Sequence, residues 1–195
     1  MPAPQTHSLF TYQNNVYRET VLQLDEVQVR ANGLPTRVSQ GVYHGYSLPL
    51  YAANEELFFH VHIMHDWDEA SDLIALIHVY LDTANNAKNF KLQASWENIT
   101  TGNNITGTPN GDLVPATSND VEVQVATGNA SQYQTYEVPF TIDYDIDGGG
   151  NELVRGDCIG LRLRRIAALA NEIAGEVVVY MNMIRYQVNN LGMPV

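Results

Sequence analysis

Apolar and polar side chains alternate with a period of two in one stretch of this chain after another, and that pattern constrains the fold more than any other feature. NFKLQASWENI (89–99) sets Phe90, Leu92, Ala94 and Trp96 against Lys91, Gln93, Ser95 and Glu97. ELFFHVHIMH (56–65) sets Leu57, Phe59, Val61 and Ile63 against Phe58, His60, His62 and Met64. Successive side chains point to opposite faces of a strand, so such segments bury one face of a sheet and wet the other. LQLDEVQVR (22–30), VEVQVAT, YQTYEVPFTIDYDID, CIGLRLRRIAA and EVVVYMNMIRYQV read as further strands. DLIALIHVYLD (72–82) is nearly all apolar, as in a strand covered on both faces. About eight strands separated by turn residues predict an all-β chain, a single jelly-roll or β-sandwich domain.

Between the strands, residues 100–120 are rich in Gly, Asn, Thr and Pro and read as a long loop. AALANEIAG is the one helix candidate, and it fits an interstrand connection closed by Gly175 equally well. Residues 1–50 are irregular and punctuated by proline, which predicts an N-terminal arm with peripheral strands; residues 51–195 then form the jelly-roll domain. Within the arm, 1–21 carries Leu9, Phe10, Tyr12, Val16 and Tyr17 and is expected to order only on a partner surface.

A chain of 195 residues can bury a hydrophobic core without disulfides or a metal staple. Its single cysteine, Cys158, lies in the apolar run CIGL and reads as a small buried hydrophobe. Twenty-two acids against 10 bases give a net charge of -12, which argues against binding to a phosphate backbone. The bases cluster only in LRLRRI, at Arg162, Arg164 and Arg165. No apolar run approaches the roughly 18 residues of a membrane span, so no membrane partner is expected. MPAPQTHSLF lacks a basic n-region and an apolar h-region, so no signal peptide is expected, and the triplets NIT (98 and 104) and NAS (129) then say little about glycosylation.

HVHIMHDWDEASD (60–72) raises the question of a metal. His60 and His62, two apart on a strand, point the same way and could share one ion, with His78 as a distant third ligand. A cupin-like pattern asks for a Glu shortly afterwards, where this chain has Asp66 and Trp67. DYDIDGGGNE (143–152) offers Asp143, Asp145 and Asp147 at alternate positions, as calcium loops do, but the twelfth position is Val154 rather than Glu. The plain reading makes these aspartates the wet face of a strand whose Phe140, Ile142, Tyr144 and Ile146 face the core. No nucleophile elbow and no phosphate loop is present, so neither an enzyme nor a cofactor is expected.

H-D-W-x-E-x-S-D-L followed by I-H-V, a central tryptophan strand (SWENI), a late GLRLRR strand and a terminal YQVNNLG together resemble a group of jelly-roll virion proteins of tailed bacteriophages. The matching positions include His65, Asp66, Trp67, Ser71, Asp72, Ile77, His78, Trp96, Asn98, Arg164, Tyr186, Leu191 and Gly192, and LDEVQVRANGLP is similar to that group's lead-in strand. The resemblance implies a capsid decoration (cement) protein on the virion surface, assembled in the host cytoplasm, that bridges major capsid subunits as a homotrimer. It also implies that the HDW segment is a fold-defining turn; in such a turn Asp66 and Asp72 can accept backbone N–H bonds, and Trp67 is expected to cover the sandwich end with its indole N–H bonded. The expected trimer face is Phe58, His60, His62 and Met64. The alternative is a carbohydrate- or receptor-binding jelly roll of a tail fibre, with Tyr43, Tyr46, Tyr133 and Tyr136 as rings for stacking on sugars. A metal-dependent cupin-type enzyme would require His60, His62 and His78 to converge.

Overall fold

The computed structural model describes residues 16–22, 28–29, 35–49, 55–84, 87–99, 119–124, 132–145 and 153–188, and among these the regular structure is all strand. The strands are β1 (Val16–Leu22), β2 (Gln28–Val29), β3 (Thr36–Gln40), β4 (Tyr43–Leu48), β5 (Glu56–His62), β6 (Leu73–Leu81), β7 (Asn89–Ile99), β8 (Asn119–Gln124), β9 (Thr135–Ile142), β10 (Cys158–Ile166) and β11 (Val177–Val188). The alternating segment 89–99 is β7 over its whole length, and the apolar run 72–82 is β6 to within a residue at each end.

From β4 onward the strands pair first with last: β4 with β11, β5 with β10, β6 with β9 and β7 with β8, all antiparallel. This long ribbon is wrapped so that β6 also pairs β11 and β7 also pairs β10. The result is one sheet ordered β3-β4-β11-β6-β9, with β1 also on β11, facing a second ordered β2-β5-β10-β7-β8. We call these sheet A and sheet B. The wrapped ribbon is the jelly roll that the alternation predicts.

Inward rows from both sheets fill the space between them. Leu57, Phe59 and Val61 of β5, Phe90, Leu92 and Trp96 of β7, and Ile159, Leu161 and Leu163 of β10 meet Ala75, Ile77 and Val79 of β6 and Val138, Phe140 and Ile142 of β9. Burial of these apolar side chains is the main driving force for the fold.

Trp67 is fully buried, and the HDW turn is built around it. Its N–H donates to the Met64 carbonyl at 3.1 Å, and its own carbonyl accepts from Arg155 Nε at 2.8 Å. Asp72 Oδ1 accepts the Tyr144 N–H at 3.3 Å, as expected of an aspartate in such a turn. Two details differ from expectation. Asp66 pairs with the Arg18 guanidinium of β1, and the buried indole N–H of Trp67 has no hydrogen-bond partner among the described residues. Residues 16–21 are also corrected: rather than waiting for a partner surface, Val16–Leu22 forms β1, in continuous register with β11 from Val188 to Asn182. Residues 1–15, with Leu9, Phe10 and Tyr12, lie outside the described residues.

AALANEIAG is a connection rather than a helix, and Arg165 accounts for its shape. Arg165 points inward at the end of β10, where it is 4% exposed. It donates to the carbonyls of Leu48 (3.3 Å), Ile173 (3.0 Å) and Gly175 (2.7 Å) and to the Glu172 carboxylate. Glu172 in turn accepts the Ala168 N–H at 2.5 Å. Side chains thus satisfy backbone groups that a helix would have paired internally.

Trp67→Ala is expected to cost about 3–5 kcal/mol, the range for truncating a large buried aromatic. Trp67→Phe should cost less, because it also removes the unpaired N–H. His60→Ala, on an exposed position, should fall within about 0.5 kcal/mol of the parent. Urea unfolding of the three variants checks that order.

Candidate functional site

His60 and His62 are exposed on the outer face of sheet B, opposite Gly160 and Cys158 of β10. His78 lies on the outer face of sheet A, beside Glu137. The core of the sandwich separates them, so the convergence a cupin-type site needs is not formed. Among the described residues, no group of three or more His, Cys, Asp or Glu side chains is arranged to hold a metal. Asp143 Oδ1 accepts the Asp145 N–H at 3.0 Å, which closes the turn after β9; Asp147 lies outside the described residues. Of the trimer-face candidates, Phe58 is half-buried and His60 and His62 are exposed, whereas Met64 lies beyond the end of β5 and packs against the core. Cys158 is half-buried on the outer face of sheet B, and burial, reinforced by the Asp157 carboxylate, pushes its thiol pKa up, away from a reactive thiolate.

The outer face of sheet A carries a different constellation. Tyr43 of β4, Tyr180 of β11, Tyr80 of β6 and Tyr133, just before β9, form a continuous chain of rings with centroid spacings of 5.8, 5.9 and 6.1 Å. The His78 ring lies 6.1 Å from that of Tyr180. A β-bulge organises the cluster: the β11–β6 register slips between Val179 and Met181, leaving Tyr180 as the extra residue. Bulges re-aim side chains, and this one sets the Tyr180 ring within about 6 Å of three other rings. Gly45, two residues from Tyr43, makes room for the same arrangement, since a Cβ there would stand 2.5 Å from the Val179 carbonyl oxygen. Gly41, at φ 60°, turns the two-residue β3–β4 hairpin that carries Tyr43.

Tyr43 is 60% and Tyr133 40% exposed, whereas Tyr80 is 6% exposed and floors the row. Burial, with smaller contributions from Tyr133 and Asp82, pushes the Tyr80 phenol pKa up. Burial, then Tyr43, does the same for Tyr180 against a lowering hydrogen bond with Thr135. Both rings therefore remain neutral. Of the four tyrosines proposed from sequence for stacking, Tyr43 and Tyr133 stand at the two ends of this row, while Tyr46 and Tyr136 pack against the core. Tyr80 and Tyr180 were missed because each sits inside an apolar run.

Acids lie near the Tyr80 part of the row. The Ser47 hydroxyl donates to Glu176, and the Glu176 N–H donates to Asp82 Oδ1 at 2.6 Å. Glu55 stands near Glu176; burial first, then the Glu176 charge, hold its carboxyl pKa above the usual range.

No family model and no curated protein matches the chain. Its fold is similar to that of several solved structures. In the dimeric latent PorU of Porphyromonas gingivalis the match has 8% identity and a TM-score of 0.42, over 89% of this chain and 13% of that one. A xylan-binding module, CBM15, matches with 12% identity and a TM-score of 0.47, over 88% of this chain and 97% of that one. The enzymatically active domain of tailspike protein 4 from bacteriophage CBA120 matches with 12% identity and a TM-score of 0.32, over 90% of this chain. The chain spans 13% of the PorU and 20% of the tailspike chain. At these identities the likeness concerns the β-sandwich and says nothing of a ligand.

A carboxyl whose folded pKa is raised binds its proton more tightly in the folded state. Its contribution to stability is therefore greatest below the unfolded value of about 4.3 and declines as pH rises through the folded value. Glu55→Gln should accordingly raise the thermal midpoint at pH 7 and leave it unchanged at pH 3.5. Scanning calorimetry of both proteins across that range checks the sign.

Proposed function

We propose that this protein is a glycan-binding jelly roll, of the kind a phage carries on a tail fibre, and that its site is the tyrosine row on the outer face of sheet A. One observation carries the reading: four tyrosines from separate parts of the chain meet on the outer face of a sheet, and two of them present free ring area to water. The inner face already supplies the core, so this row is not needed to fill one. The π-face of an aromatic ring is electronegative and attracts the C–H-rich face of a pyranose, while the flanking polar groups bond its hydroxyls. His78 and Glu137, with 3.8 Å between Nε2 and Oε2, and Thr135 supply such groups beside the rings. Stacking of nucleic-acid bases would use similar rings, but a chain of net charge -12 repels a phosphate backbone.

A second reading follows the phage resemblance: a homotrimeric capsid decoration protein that bridges major capsid subunits. It is favoured by the Phe58, His60 and His62 row on sheet B, whose two histidines are exposed. In that reading the trimer forms in solution through β5.

Glycan-array binding by the labelled full chain separates the two. Tyr43→Ala and Tyr133→Ala should each weaken binding about tenfold, near 1.4 kcal/mol, while His60→Ala leaves it unchanged. Absence of binding on the array, together with a trimer by light scattering and retention on purified empty capsids, would replace the first reading with the second.

A further inference from the structure

Resting on the glycan-binding reading, we infer that the site takes a single, uncharged glycan chain and rejects both crystalline polysaccharide surfaces and polyanionic glycans. The ring planes set the first half of this. Tyr43 and Tyr180 are inclined at 75°, Tyr180 and Tyr80 at 40°, and Tyr80 and Tyr133 at 69°. Tyr43 and Tyr180 are the neighbours of which neither is buried, and at 75° a flat lattice laid on the sheet would meet the face of one and the edge of the other. A single chain can turn about its glycosidic bonds and offer successive sugar faces at different angles. Tyr80, almost wholly buried, holds the inclinations of its neighbours, while Tyr43 and Tyr133 present the free faces at the ends. The three spacings limit the row to the span of a few sugar residues.

Charge sets the second half. Across the strands, Tyr43 faces Gln40, His78 faces Met181 and Glu137, and Tyr80 faces Val178 and Thr135. None of these register neighbours is Lys or Arg, whereas Glu137 borders His78 and Asp82 lies near the Tyr80 phenol. A uronate or sulfate on the row would meet like charge without a Lys or Arg among these register neighbours to pair with it, on a chain already at -12. A neutral diol meets the Glu137 carboxylate as hydrogen-bond donor, which is the complementary case.

Affinity electrophoresis and pull-down of the full chain test this with three probe sets. These are soluble neutral polysaccharides (xylan, galactomannan, dextran), microcrystalline cellulose and chitin, and polyanions (hyaluronan, alginate), with a broad glycan array beside them. The expected result is retention by at least one neutral soluble glycan, weakened about tenfold by Tyr43→Ala or Tyr133→Ala, with no partition onto the crystalline solids and no retention by the polyanions. Tyrosine-dependent binding to microcrystalline cellulose or chitin would overturn the single-chain inference and leave the glycan reading standing. Retention by polyanions alone would overturn the neutral-ligand inference in the same way. Binding to no glycan of any set would remove the glycan reading and this inference together. Unchanged thermal midpoints for both exposed-tyrosine variants establish that lost binding is not lost folding.

Discussion

Hydrogen bonding along β11 ties the wrapped ribbon into a closed sandwich. One edge of this strand is shared by β4 (at Val177, Val178 and Val179) and β1 (from Asn182 to Val188), and its other edge is held by β6. Its partners are separated from it by about half the chain (β6) or more (β4 and β1), so the register of β11 decides which side chains of the earlier strands face inward. A slip of one residue would turn Ile184, Tyr186 and Val188 to water and Arg185 and Gln187 to the core. The bulge at Tyr180 changes the phase within the strand: Val177 and Val179 point inward before it, and Asn182, Ile184, Tyr186 and Val188 after it. Fold and candidate site therefore share one irregularity.

Much of the architecture was legible because alternation in β5, β7 and β10 survives with few exceptions. Segments such as Phe90–Trp96 turn their apolar side chains to one face only, and a period of two then names that face. Legibility fails where a side chain is governed by a partner remote in sequence. Arg164 and Arg165 are consecutive, and nothing local says that the second plugs the end of the sandwich while Arg164 Nε bonds the Gln93 side chain at 2.5 Å. β1 was hidden for a related reason. Its exposed Tyr17 and Val21 are outward positions of an edge strand, and only the paired residues of β11 reveal them as strand. Trp67 was recognisable as an anchor, but the Arg155 side chain that bonds its carbonyl comes from a loop remote in sequence.

The candidate site was half legible. Tyr43 and Tyr133 stand beside Gly41 and Gln132, in turn-like contexts that mark exposure. Tyr80 and Tyr180 lie in VYL and VVYM, where an aromatic reads as core. The phase slip in EVVVYMNMIRYQV is the one local signal that Tyr180 leaves the inner face, and it is blurred because valine occupies both faces just before it.

The two outer faces of the sandwich differ in what they leave available. On sheet B the polar side chains already answer one another: Arg162 donates to Ser95 Oγ at 3.1 Å and lies 3.7 Å from Glu56, and Arg164 approaches the same carboxylate at 3.9 Å. A partner there would replace contacts the protein makes by itself, so the net gain of each new polar contact is small. On sheet A, the outward row Val21, Met183, Leu76 and Pro139 crosses four strands without a charged group. It lies beside Met181 and His78 at the edge of the tyrosine cluster. Leu76 is buried beneath its neighbours, but the exposed Val21, Tyr43 and Tyr133 of this face gain free energy whenever a ligand displaces their water. Sheet A is thus the face on which binding has most to gain, and Tyr180, aimed outward by the bulge that sets the core's phase, stands at the centre of that face.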